Sequence, residues 1–111
     1  MSKPLGPGDL CTVELEAGEY RVVKILAMAD GIVHVRLYAD RFVDRPFQVE
    51  LGQLDHAALG IPHLPVNAED FATWRPGVVG HEAVRLVELE GYDLWREAYE
   101  RSLSRSGRAR A

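Results

Sequence analysis

Four histidines and one cysteine are the side chains best suited to chemistry in this 111-residue chain. Zinc ligands usually arrive as close pairs, such as His-x-His or a helical His-x-x-x-His, and no two histidines here have that spacing. Cys11 falls on the apolar phase of an alternating run, where cysteine behaves as a small hydrophobe rather than as a nucleophile. The sequence therefore predicts no metal site, no cofactor and no Cys/His catalytic pair. The histidines are His34, His56, His63 and His81.

The carboxylates do not form a recognisable acid/base pair either. Asp55 beside His56 and the Glu69-Asp70 step fit turn formation and helix capping. The glycines do not follow strands into helices at the spacing of a phosphate-binding loop. Because the parts that a mechanism needs are missing, we predict a protein without catalytic residues that is not an enzyme.

The Asp30-Gly31 step is the strongest structural signal, because Asp-Gly between two strand-like runs favours a two-residue hairpin. Such a loop places Ala29 opposite Ile32, and each later pair of residue numbers would then sum to 61. One ribbon face would be apolar, and the other would be mixed and would hold a half-exposed His34. The predicted pairs are Val22 with Ala39, Leu26 with Val35, Met28 with Val33, Ile25 with Arg36, Val23 with Tyr38 and Arg21 with Asp40.

Other short runs complete a predicted sheet. The segment 10–16 alternates with Cys11, Val13 and Leu15 on one face, and Phe47–Leu51 alternates in the same way. Short strands joined by turns favour a strongly curved antiparallel sheet of four or five strands. We predict an α+β fold: a small SH3-like barrel or half-barrel with a C-terminal helix.

The second half of the chain predicts a loop and helices that pack on that sheet. Prolines and glycines predict a loop over residues 60–80 with a short helix from Asn67, its N-cap, to Trp74. A helix from about residue 82 to 103 has an apolar stripe that Gly91 interrupts. Trp74, Trp95 and Tyr99 are the expected packing anchors. Residues 1–100 would form one domain, and 101–111 a frayed or disordered basic tail.

Charge divides the chain unevenly. Thirteen Lys and Arg stand against 17 Asp and Glu, and the last eleven residues hold four arginines and no acid, so residues 1–100 carry −8 and the tail +4. An acidic body disfavours binding to a phosphate backbone. A lone cysteine, no secretory leader and no apolar run of membrane length predict a cytoplasmic protein that does not enter the membrane.

Two segments resemble known families. Gly8-Asp-Leu-Cys-Thr-Val-Glu-Leu-Glu-Ala-Gly-Glu-Tyr20, followed by Arg-Val-Val-Lys-Ile, is similar to the first two strands of SH3-like barrels, in particular of bacterial immunity-type proteins. Trp74-Arg-Pro76 and Glu88-Leu-Glu-Gly-Tyr-Asp-Leu-Trp95 resemble an uncharacterised bacterial small-domain family with a similar half-barrel. Together they cover most of residues 8–99. The resemblance implies a small packed module and transfers no catalytic residue.

Two functions remain open at this point. The first is a non-enzymatic protein-interaction module that uses its acidic body to bind a basic partner protein. Aromatic and charged residues at the open end of the ribbon are its candidate contacts: Tyr20, Arg36, Tyr38, Arg41 and Phe42. The alternative is a nucleic-acid-associated accessory protein whose tail contacts phosphates. Its candidate contacts are Arg101, Arg105, Arg108 and Arg110. The sequence does not predict the oligomeric state.

Overall fold

A computed structural model describes residues 4–46 and 60–109, and these residues form an α+β fold around one antiparallel sheet. Five strands lie in the order β4-β3-β2-β1-β5. The predicted fold class is confirmed at this level, with a C-terminal helix after the sheet. The elements are β1 (Asp9–Glu16), β2 (Glu19–Ala29), β3 (Ile32–Phe42), β4 (Ile61–Asn67), α1 (Ala68–Thr73), β5 (Gly77–His81), a 3-10 turn (Leu86–Leu89) and α2 (Glu90–Ala109).

The hairpin between β2 and β3 is confirmed. Ala29 lies opposite Ile32, and the two loop residues have positive φ angles, 55° at Asp30 and 74° at Gly31. Two positive φ angles define the type I′ turn, whose twist matches that of the flanking strands. The Asp-Gly step therefore fixes the start of the central ribbon.

The predicted register is wrong beyond the first three pairs. The ladder shifts between Ile25 and Ala27, and a second irregularity lies between Arg21 and Val23. Leu26 is the extra residue of a bulge, so β2 from Ile25 to Val23 moves one place against β3, and the second irregularity then shifts the pairing the other way. The observed pairs are Ile25 with Val35, Lys24 with Arg36, Val23 with Leu37 and Arg21 with Arg41.

Both faces of β2 are covered. Its residues 22–26 are consecutively buried, so the mixed, half-exposed face expected for the ribbon is also wrong. One face holds the main apolar core, to which α1 contributes Phe71. The opposite face holds Leu10, Val22, Tyr38 and Val79, and next to them the buried polar side chains described below. His34 is among these, with none of its surface exposed.

The proline-rich segment is not a simple loop. Besides the short helix it contains two strands, β4 and β5, so the prediction of a loop over residues 60–80 is wrong there. Pro62 and Pro65 are tolerated because β4 is an edge strand and need not donate on its outer side. The sheet is open, since no pairing within the described residues joins β4 to β5. The expected strand at Phe47–Leu51 lies outside the described residues.

The short helix α1 is confirmed with its cap. The side-chain oxygen of Asn67 accepts a hydrogen bond of 2.9 Å from the Glu69 amide, and the helix ends at the C-cap Trp74. Phe71 is buried, and Trp74 packs half-buried against the same core. Trp74 is thus a packing anchor on the face of the sheet opposite α2.

The C-terminal helix begins later than predicted, at Glu90 rather than near residue 82. The chain is extended at Arg85, with ψ of 151°, before the 3-10 turn starts. Gly91 therefore stands in the first turn of α2 and does not interrupt a longer helix. The helix continues to Ala109, so most of the segment expected to be a frayed tail is helical.

The turn geometry yields a first prediction. Gly31→Val should lower the free energy of unfolding by about 1–2 kcal/mol, because a β-branched residue at φ 74° is strained although the site is open. Gly31→Asn is the matched control, since asparagine tolerates this conformation, and should lose less than half as much. Urea unfolding measures both. Equal losses would show that the backbone angle is not what selects glycine.

Candidate functional site

A buried ion cluster lies on the sheet face that α2 approaches; we define it as Lys24, Arg36 and Glu88. Lys24 Nζ donates to Glu88 Oε1 at 2.8 Å and to the Ala83 carbonyl at 3.0 Å. Arg36 NH1 donates to Glu88 Oε2 at 2.9 Å. Lys24 is fully buried and Glu88 is 8% exposed. One carboxylate thus bridges two cations on neighbouring strands.

Local structure explains why Glu88 arrives there. The bulge sets Lys24 directly opposite Arg36, so two like charges stand side by side on the sheet. The extended chain at Arg85 and the following 3-10 turn then bring Glu88 over both, and Glu88 also accepts from the Arg85 amide at 3.0 Å. Burial alone would raise the pKa of Glu88, but these hydrogen bonds lower it to about 2. Glu88 is therefore an anion at neutral pH.

A histidine pair lies beside the ion cluster. His34 Nδ1 and His63 Nε2 are 2.9 Å apart across β3 and β4, and the rings stack at 5.2 Å with an interplanar angle of 11°. His34 Nε2 is buried without a hydrogen-bond partner. The pKa of His34 is lowered to about 4, mainly by burial and to a smaller extent by the nearby His63. Burial also lowers the pKa of His63. Both rings are neutral at pH 7.

Helix α2 is attached to the sheet over this pair. Tyr92 and Trp95 contact the His34 ring edge-on, with centroid distances of 4.6 and 4.5 Å. Trp95 also stacks on Tyr99 at 5.0 Å. Gly91 lies so close to His63 that an added Cβ would be 2.7 Å from the histidine Cβ. The expected anchors Trp95 and Tyr99 thus belong to one aromatic stripe.

Beyond the attached turns, α2 is exposed. Residues 100–104 are all exposed, and the molecule measures 53 × 28 × 27 Å. Glu90, Asp93 and Glu97 follow one another at i, i+3 and i+7, so they share one side of the helix. Leu94, at i+4 on that side, is 68% exposed. We call these four residues the acidic helix face. The exposed Val87 lies just before it in the chain. Val87 and Leu94 also line an open cleft beside Pro62.

The described residues offer little for covalent chemistry. Cys11 is fully buried, and burial, with a contribution from Asp9, raises its pKa to about 12, so it is a protonated thiol. No group of three or more His, Cys, Asp or Glu suited to a metal ion occurs in residues 4–46 and 60–109. His81 Nδ1 lies 3.1 Å from Asp9 Oδ1 at the surface, and Gly6 donates to the other Asp9 oxygen. This dyad lines an open cleft, but no nucleophile accompanies it there.

The predicted partner contacts do not form one exposed patch. Tyr38 is only 2% exposed, and Arg36, which lies over its ring, is bound to Glu88. Phe42 is half-buried against the apolar cluster of Leu10, Val22, Tyr38 and Val79, and it lies opposite Tyr20. Arg41 is exposed and pairs with Glu19 at 3.3 Å. Tyr20, Arg41 and Phe42 do share one end of the ribbon, so binding through that end stays a prediction.

The arginine tail belongs to α2 rather than to a separate segment. Arg101 is exposed, and the helix includes residues 105 and 108. Arg110 lies outside the described residues. Arg101 stands four residues after Glu97, so it follows the acidic helix face along the same side of α2.

Sequence reasoning missed both clusters. Lys24 stands 64 residues from Glu88, and His34 stands 29 residues from His63, so no local motif joins them. One signal was available: Lys24 interrupts Val22-Val-Lys-Ile-Leu26, an otherwise apolar run. A strand with such a run is typically buried on both faces, and a buried lysine requires a carboxylate partner.

Comparison with protein-family models, with curated proteins and with solved structures gives no match to this chain. None of the described helices is both long enough and apolar enough to cross a membrane. What supports a function is therefore the geometry of the described residues.

The ion cluster yields a second prediction. Glu88→Gln should lower the free energy of unfolding by about 3 kcal/mol, because the buried Lys24 loses the carboxylate 2.8 Å away and keeps only the part-exposed Glu82, at 3.7 Å. The double variant Lys24→Met, Glu88→Leu should recover most of that loss. Glu90→Gln, at an exposed neighbouring site, is the control and should change stability by less than about 0.5 kcal/mol.

The pH dependence of stability tests the same cluster. Since the folded-state pKa of Glu88 is about 2 against an ordinary 4.5, its stabilisation is present above pH 4.5 and is lost as pH falls towards 2. Glu88→Gln should remove that part of the acid destabilisation. If the double variant Lys24→Met, Glu88→Leu is as unstable as Glu88→Gln, the buried lysine is not the cause of the lost stability.

The close approach of Gly91 yields a third prediction. Gly91→Ala should raise helix propensity by about 1 kcal/mol, yet we expect a net loss of stability because the new Cβ meets His63 at 2.7 Å. Ser102→Ala, at an exposed position of α2, is the control and should be neutral or slightly stabilising. Thermal unfolding measures the stability of both variants. A Gly91→Ala variant more stable than the wild type would contradict the close contact between Gly91 and His63.

Proposed function

We propose that the chain is a non-enzymatic protein-interaction module that binds a basic partner protein through the acidic helix face. The observation that carries the proposal is the exposed Leu94 amid Glu90, Asp93 and Glu97 on the outer side of α2. An exposed apolar side chain ringed by like charges is a typical arrangement for docking a complementary surface. The −8 charge of residues 1–100 adds long-range attraction to such a partner.

Stability of the helix alone does not account for these acids. Glu90 and Asp93 lie in the first turn, where they favour the helix dipole. Glu97 lies beyond that turn, and an exposed leucine contributes nothing to the dipole. The full set therefore fits recognition better than capping.

The ribbon-end residues are a weaker docking surface. Tyr38 is buried, and Arg36 is engaged by Glu88, so neither presents its side chain freely to a partner. The likeness of residues 8–25 to SH3-like, immunity-type proteins fits a small module that binds one partner. The single buried thiol fits a reducing compartment such as the cytoplasm.

Charge reversal on the helix tests this function. The tagged full chain, its Asp93→Lys, Glu97→Lys variant and a control with Glu16→Lys and Asp44→Lys would be used to capture proteins from native lysate at low and moderate salt. Both pairs are exposed acids, so the two variants carry the same change in charge and differ only in where it lies. We expect one basic protein that the α2 variant loses, that the control retains and that higher salt releases.

Calorimetry with that purified protein should show binding weakened about tenfold or more by the α2 variant. Helix content of each variant would be checked by circular dichroism. Equal retention by wild type and the α2 variant, equal loss by both variants, or no captured protein at all would contradict the proposal.

A second function has one observation in its favour, the helical spacing of Arg101, Arg105 and Arg108. Arginines at i, i+4 and i+7 of a helical sequence have a spacing suited to contacts with successive phosphates. Retention of the full chain on heparin or DNA resin, lost on changing the three arginines to glutamine, would support it. No retention of the full chain would remove it.

A further inference from the structure

The histidine pair occupies the joint between α2 and the sheet. His34 projects from β3 under Tyr92 and Trp95, and His63 on β4 lies against Gly91. From Glu100 to Ser104 the helix is exposed, so its attachment is concentrated in its first three turns. Whatever changes the two rings therefore acts directly on how α2 is held.

The contact between the rings accommodates only one proton. At 2.9 Å, one nitrogen must donate and the other must accept. When both imidazoles are protonated, all four ring nitrogens are donors, so two N–H groups would face each other. The hydrogen bond across β3 and β4 cannot survive double protonation.

The surroundings do not stabilise a cation on His34. Its ring is fully buried, and Nε2 has no partner. No carboxylate in the described part of the chain bonds to either ring, because both oxygens of Glu88 are taken by Lys24 and Arg36. The titratable and charged groups of the neighbouring elements include Lys24 on β2, Arg36 and Tyr38 on β3, His63 on β4, Glu88 in the 3-10 turn, and Tyr92 and Arg96 on α2, the last bound to Glu100.

We infer that the His34–His63 pair is a proton-operated latch: the neutral pair fixes α2 to the sheet, and protonation releases the helix. Release lets both rings reach water, where imidazolium is hydrated. The latch goes beyond the proposed function and does not depend on it, because it concerns the joint of the free protein.

The sign follows from the pKa of His34, which burial lowers to about 4 in the attached state against about 6.5 for an exposed histidine. Between pH 4 and 6.5, His34 binds more protons in the protein with α2 released than in the protein with α2 attached. Attachment is therefore strongest above pH 6.5 and weakens as pH falls towards 4. From pH 7.5 to 5.0, these two pKa values weaken attachment about 30-fold through His34 alone.

Native-state hydrogen exchange measures this attachment without any partner. Amide protection factors of α2 residues 92–99, corrected for intrinsic exchange, should fall about 30-fold between pH 7.5 and 5.0. At pH 5.0 these amides should exchange faster than the amides of residues 22–26 in the central strand β2. That difference distinguishes helix release from global unfolding.

Three variants identify the proton acceptor. His34→Leu should abolish the pH dependence in α2, and His63→Gln, whose amide can still donate to His34, should reduce it. His81→Gln, a change at the exposed Asp9 pair, should leave it intact. Protection in α2 that is constant within threefold, exchange at the β2 rate at every pH, or an unchanged pH dependence in His34→Leu would each overturn the latch.

Discussion

Glu88 is the side chain on which the arrangement of this molecule depends. The β2 bulge sets Lys24 next to Arg36, and two cations side by side on a covered sheet face repel each other unless an anion lies between them. Glu88 provides that anion, 2.8 Å from one cation and 2.9 Å from the other. Because it stands in the 3-10 turn, the same contact fixes where α2 begins. The positions of Gly91 and Trp95 follow from that starting point.

Some elements were predictable because their signals are local. The Asp30-Gly31 turn, the strand β1 with Cys11, Val13 and Leu15 on one face, and the Asn67 cap each depend on neighbouring residues, and each is confirmed. The bulge at Leu26 carries no glycine or proline, so the register could not be read beyond it. Pro62 and Pro65 hid β4, because proline argues against a strand unless the strand is known to be an edge. Edge position is a property of the assembled sheet.

The candidate site was less predictable than the fold for the same reason. His34 and His63 meet only because β3 and β4 are neighbours, and that pairing crosses residues 47–59. Trp95 and Tyr99 of the predicted apolar stripe do pack, whereas Val87 and Leu94 are exposed, the latter among acids. Composition did foresee an acidic surface, but which acids share a face depends on where the helix begins.

Because Cys11 is buried in the sheet, its reactivity reports when the sheet opens. The thiol lies in the main core, and its raised pKa leaves almost no thiolate to react with an alkylating reagent. Modification must therefore wait for the strands to separate, whereas movements of α2 on the opposite face leave the sulfur covered. The rate at which Cys11 is alkylated, measured by mass spectrometry, would then report how often the sheet opens.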